Sequence, residues 1–161
     1  MSTRRAELIQ QLFDTMHATL SFFDQPEEAL NRSYGPGKWT MRQILCHISD
    51  QETVFLERLR RIATESNATL LNMDENVWVK DLFYSTRDLA IIKMQFEAAR
   101  RSVIELMRRL DESIDEKRGT HTLAGPVTFA QVAGKIAKHT AHHNEQLLAI
   151  AAGRSWQPKP S

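Results

Sequence analysis

The chain has 161 residues, 42% of them apolar and 25% charged, which suits one globular domain built on a single hydrophobic core. Its 21 Lys and Arg residues against 20 Asp and Glu leave a net charge of +1, so no global field favours nucleic acid or an anionic membrane. One cysteine, Cys46, excludes an internal disulfide, and no apolar run is long enough for a membrane span or a leader segment, which together predict a cytoplasmic protein.

Residues 4 to 23 predict the first helix, with Leu8, Leu12, Met16 and Leu20 on one row and Ile9, Phe13 and Phe23 beside it. His17 lies next to that stripe and reads as a solvent-flank histidine. Pro26 ends the segment, and Gly35-Pro36-Gly37 marks a turn. The second helix starts at Thr40, because Thr40 with Gln43 spells a capping box and Trp39 with Ile44 the matching hydrophobic staple. Its inward stripe is Ile44, Ile48, Gln51, Phe55 and Ile62, with His47 on the flank, about 60° from Ile44. Cys46 points about 100° away from His47 and reads as packing. The basic pairs Arg4-Arg5, Arg60-Arg61, Arg100-Arg101 and Arg108-Arg109 have acidic neighbours, the pattern of a solvated face laced with intrahelical ion pairs.

Residues 66 to 84 form a long connection with a short helical turn expected from Asp74 to Lys80. Trp78, Phe83 and Tyr84 either roof a pocket mouth or pack the connection onto the bundle. The third helix, from Thr86 to Leu110, shows the stripe Leu89, Ile92, Phe96, Ala99, Val103, Leu106 and Leu110, with no ligand-type residue in it. Residues 111 to 127 are irregular, and His121 there is expected in solvent. The fourth helix opens on a second capping box, Thr128 with Gln131, stapled by Val127 and Val132, and Gly153 stops it. No strand-like alternation appears. The expectation is an all-α four-helix bundle with long connections, residues 1 to 153 forming one domain and 154 to 161 a tail.

Within the fourth helix, Phe129, Val132, Ile136, His139, His143, Leu147 and Ile150 follow one another by threes and fours. Two imidazoles therefore stand where a core helix face calls for Leu or Val. An unpartnered buried polar group costs about 1–3 kcal/mol, and side chains at i and i+4 lie about 6 Å apart at Cβ, which suits two nitrogens converging on one metal ion. His47 beside the second seam is the third candidate. Three neutral imidazoles are the ligand set of an open catalytic zinc site, and nickel accepts the same donors. The competing reading is that each is a core histidine satisfied by a hydroxyl or carbonyl. His142, about 100° around from His143, is a supporting or surface residue.

The run Gly37-Lys38-Trp39-Thr40-Met41-Arg42-Gln43-Ile44-Leu45-Cys46-His47-Ile48-Ser49-Asp50, the segment from Asp74 to Trp78, and His139-Thr140-Ala141-His142-His143-Asn144-Glu145-Gln146-Leu147 resemble, in this order, the DinB/YfiT superfamily of metal-dependent four-helix proteins. The resemblance implies that His47, His139 and His143 hold a divalent metal, zinc or nickel. It implies a long crossover between the second and third helices, and a homodimer. For activity it implies hydrolysis of a small electrophilic substrate, or transfer to it of a low-molecular-weight thiol such as bacillithiol or mycothiol. Neither nucleic acid nor membrane follows as a partner. Asp50, three residues after His47, is the candidate to accept an imidazole proton or act as general base, against a structural carboxylate in a helix-surface ion pair. Gln146 and Glu145 are further candidates for orienting roles. The alternatives to an enzyme are a non-catalytic metal-binding protein and a structural helical interaction protein.

Overall fold

Capping decides where the two histidine-bearing helices begin. In the computed structural model, which describes residues 1–158, the Thr40 hydroxyl accepts from the Gln43 N–H at 3.3 Å, while the Gln43 side chain accepts from the Thr40 N–H at 2.9 Å. The Thr128 and Gln131 pair repeats the box at 3.1 and 2.8 Å. Each box satisfies two of the four amides that a helix start leaves orphaned. The helices they open are α3 (Met41–Thr64) and α6 (Phe129–Ala151).

With α1 (Thr3–Leu20) and α5 (Leu89–Arg109) they make the expected four-helix bundle. Helix α5 begins behind an Asp88 cap rather than at Thr86, because the Asp88 carboxylate is the group that accepts from the Ala90 N–H. Two shorter helices lie in the connections: α2 (Glu27–Leu30), one turn after Pro26, and α4 (Glu75–Asp81). The turn expected from Asp74 is α4, capped by that aspartate, which accepts from the Asn76 and Val77 amides.

The apolar stripes meet in two clusters along the bundle. Leu12, Leu59, Val103 and Ile136 belong to one, and Met16, Ile44, Phe96 and Leu147 to the other. Each buried side chain of this size stabilises the fold by about 1.5–3 kcal/mol relative to exposure. Cys46 packs in the second cluster, as expected, and burial pushes its thiol up to about 12.

A small sheet joins the two long connections, which the sequence pattern did not suggest. β1 (Ala68–Leu70) pairs in parallel with β2 (Arg118–His121), and β2 pairs antiparallel with β3 (Gly125–Thr128). Strands of three or four residues are too short to show alternation. Gly119 lets them close on α3, since a Cβ there would lie 3.0 Å from Ile62 Cγ1. Because Thr128 both ends β3 and caps α6, the hairpin is tied to the start of the helix carrying His139 and His143.

Two arginines expected in solvent are buried. Arg5 donates to the Leu110 carbonyl and Arg100 spans the bundle to Glu52, whereas Arg61, Arg101 and Arg109 do hold the expected i,i+4 acids. Of the tail expected from 154 onward, Lys159, Pro160 and Ser161 lie outside the described residues. Trp156 lies edge-on to Tyr34 and His142. Among the described residues, no helix is long and apolar enough to cross a membrane.

Candidate metal centre

His47 stands in the second turn of α3, facing His139 and His143 one turn apart on α6. Both helix starts are pinned by capping boxes, so the three rings are set in register by local chemistry. His47 and His143 are buried and His139 is half-buried. One nitrogen from each ring lies within 4.8 Å of the other two, and His47 Nε2 stands 3.0 Å from His139 Nε2. Nitrogens bind zinc at about 2.0–2.1 Å, so two of them at this separation can share one ion.

The hydrogen bonding fits a cation. His143 Nδ1–H donates to Gln146 Oε1 at 2.7 Å, which fixes the tautomer and leaves Nε2 as a bare lone pair. The Gln146 amide in turn donates to His142 Nε2 at 3.2 Å and Tyr34 Oη at 3.4 Å. His47 Nδ1 is buried with no hydrogen-bond partner among the described residues. Without an ion, the facing Nε2 atoms of His47 and His139 must share one proton; with one, both lone pairs are used.

Burial holds all three rings neutral. Loss of solvation pushes His47 down to about 3 and His139 to about 2, with repulsion from the neighbouring imidazoles adding to both. Burial takes His143 to about 4, where the Gln146 bond opposes the fall. Neutral imidazole is the ligating form, so at neutral pH a metal would displace no charge from the rings, only the proton shared by the two facing Nε2 atoms, which can move to Nδ1.

Around the triad, the Trp39 ring packs 4.9 Å from His47 and stacks on His143 at 6.5 Å. A cavity of about 330 Å³ opens beside it, lined by Trp39, Glu75, Asn76, His142, His143 and Gln146. Glu75 Oε2 lies 3.8 Å from His47 Nε2, delivered by the first turn of α4. Sequence reasoning missed this carboxylate. The segment from Asp74 to Trp78 was singled out, but which of its residues faces the histidines depends on how α4 docks.

Asp50 is not brought to the triad. Its Oδ2 accepts from Tyr84 Oη at 2.7 Å and from Arg87 Nη1 at 2.6 Å, and its Oδ1 accepts from Gln95 Nε2 at 2.8 Å. All three donors come from α5 or the chain just before it, so the carboxylate ties α3 to that side of the bundle, and among the described residues it forms no hydrogen bond or ion pair with an imidazole. Tyr84 is correspondingly buried, Trp78 is half-buried, and Phe83 is exposed. Gln146 does orient a ring, as expected, whereas Glu145 and His142 are exposed. His17 is exposed, while His121 is half-buried in β2 rather than in solvent.

The sequence matches the DinB superfamily across residues 4–147. The chain belongs to the DinB superfamily. Among DinB-like relatives, one from Oceanobacillus iheyensis is 27% identical over 133 residues, covering 83% of this chain and 77% of the relative, and is named a "putative metal-dependent hydrolase". Another with that name, from Bacillus cereus, is 25% identical over 149 residues, covering 92% of this chain and 86% of the relative. The structure of YfiT from Bacillus subtilis, described as "a probable metal-dependent hydrolase with an unusual four-helix bundle topology", superposes with a TM-score of 0.86 at 20% identity, over 96% of this chain and 91% of YfiT. The fold is therefore a DinB/YfiT-like four-helix bundle.

Proposed function

We propose that this protein is a metal-dependent enzyme in which His47, His139 and His143 hold a divalent ion, zinc or nickel, for hydrolysis of a small electrophilic substrate or transfer of a low-molecular-weight thiol to it. The observation that carries the proposal is the convergence of three neutral imidazoles, one with its tautomer set by Gln146. The names of the relatives support the hydrolytic half. Three imidazoles add no negative charge, so an ion held there keeps its full double charge and acts as a Lewis acid at the remaining position.

The chain's own residues supply the rest. Gln146 aims the His143 lone pair, and Trp39 walls two of the rings from solvent. Glu75 takes the general-base role first considered for Asp50: its carboxylate lies beside His47 at the cavity mouth, where it accepts the proton that a water or thiol gives up on becoming a nucleophile. The cavity of about 330 Å³ has room for a small molecule beside His143.

The test is turnover of a panel of activated esters, amides and epoxides by untagged protein, with and without a low-molecular-weight thiol. Activity is expected to vanish on chelation and return with zinc or nickel. Glu75→Gln is expected to lower kcat by about 100-fold or more and to remove the acidic limb of the pH–rate profile, while metal content stays unchanged. Bound metal with no turnover of any substrate, with or without thiol, would contradict the catalytic half and leave a metal-binding protein.

A further inference from the structure

A second, smaller cavity of about 130 Å³, partly open to solvent, is lined by residues of α3, β1, the β2–β3 hairpin and α6. Phe55 forms part of its wall and also packs edge-on against His139, with ring centroids 5.8 Å apart. Leu70, Val127 and Val132 complete an apolar lining. Three basic side chains, Arg58, His121 and Lys135, and the Gln131 amide join that lining, and no Asp or Glu does.

Arg58 is the unusual member. It is 5% exposed, yet among the described residues it forms no ion pair. One Nη2–H reaches the Leu71 carbonyl at 2.6 Å, and the buried Nε has no hydrogen-bond partner. Its chain neighbour Glu57 is paired with Arg61 instead. The other buried arginines each face a carboxylate: Arg100 holds Glu52, and Arg5 lies 3.7 Å from Asp115, although its Nε and Nη2 have no hydrogen-bond partner among the described residues. A buried cation without counter-charge is costly, and an anion taken into the cavity would relieve that cost.

The other two groups have compatible chemistry. His121 Nδ1 accepts from the Leu123 and Ala124 amides at 3.1 and 3.2 Å, so the hairpin turn fixes the proton on Nε2 and makes that atom a donor. Lys135 forms no ion pair among the described residues and sits one turn before His139 on α6. Guanidinium, imidazole N–H and ammonium around an apolar floor are what a short aliphatic carboxylate requires: donors for two oxygens and a dry place for a few carbons.

We propose that this cavity is a binding site for a small aliphatic carboxylate, held by Arg58, His121 and Lys135 with its carbon chain against Phe55, Leu70 and Val132. The site is separate from the three-histidine cluster and does not depend on a metal being there. A ligand seated in it touches Phe55, and through that ring borders His139.

The experiment uses the whole protein, methyl-labelled, titrated with propionate, with its neutral isostere propionamide, and with chloride at matched ionic strength. Saturable shifts at Val127, Val132 and Leu70 are expected with propionate only. Arg58→Met is expected to weaken binding about tenfold or more, Lys135→Gln by about threefold, and addition of a chelator to leave it unchanged. Propionamide binding as well as propionate, or unchanged affinity in Arg58→Met, would overturn the proposal. If Arg58→Met does not fold, Lys135→Gln decides, and unchanged affinity there overturns it. Loss of binding on chelation would place the carboxylate on a metal held by the histidine cluster, overturning this site while leaving the metal proposal standing.

Discussion

Two buried polar clusters share this bundle, and they are built on opposite principles. Arg100 is fully buried and spends every donor: Nε and Nη2 on the two Glu52 oxygens at 2.7 and 2.8 Å, Nη1 on the Leu12 carbonyl and Thr15, and Nη2 again on Thr140. That network touches all four long helices and is closed. The adjacent cluster of His47, His139 and His143 has the Nε2 atoms of His47 and His139 facing each other at 3.0 Å, while His47 Nδ1 is buried with no partner among the described residues. Thr140 follows His139 in the chain, so the closed network anchors the very turn of α6 that carries the open one. A closed polar network holds helices together, whereas an open one is shaped for something the chain does not itself supply.

The contrast can be broken most forcefully at Arg100. Arg100→Met leaves Glu52 buried without its counter-charge and is expected to cost about 3–5 kcal/mol in denaturant unfolding. The double variant Glu52→Leu with Arg100→Met is expected to recover most of that loss. A single variant costing under about 1 kcal/mol would show that the closed network is not structural.

A smaller change sharpens the other side. Gln146→Leu removes the acceptor that sets the His143 tautomer and is expected to weaken metal binding about 10–100-fold, read by competition with a chelating dye. The Arg100 substitution acts on folding, whereas this one acts chiefly on affinity.

The effect that accrues most gradually is the response of the metal-free protein to acid. Burial lowers all three histidines in the folded state, to about 3, 2 and 4 for His47, His139 and His143, so the unfolded chain takes up protons first as pH falls. Stability is complete above about 6.5 and drains below it, by up to about 1.4 kcal/mol per pH unit for each ring, until the folded values are reached. His142 and Lys135 deepen the loss at His139, and Glu75 stands 3.8 Å from His47 Nε2. Unfolding midpoints between pH 7.5 and 5 check this, with bound metal expected to steepen the fall.

Much of the frame was readable because its causes are local. The Thr40 and Thr128 capping boxes, the apolar stripes, and two histidines interrupting a core face all lie within a turn or two of sequence. The third helix is expected from about Thr86 and starts behind Asp88, because only the contact of that carboxylate with the Ala90 amide sets the start. What was hidden depends on partners far along the chain. Asp50 is claimed by Tyr84, Arg87 and Gln95, Arg100 by Glu52, and Glu75 reaches His47 only because α4 docks across the bundle. The three short strands carry no pattern of their own, and through them His121 came to rest beside Arg58 and Lys135 rather than in solvent.

The most direct measurement is the metal content of untagged protein by mass spectrometry and elemental analysis, for the wild type and for His47→Ala, His139→Ala and His143→Ala. One divalent ion per chain is expected in the wild type and close to none in each variant, with all four still folded. Equal, near-zero metal throughout, even after incubation with zinc or nickel, would contradict the account and return the three imidazoles to the role of core side chains.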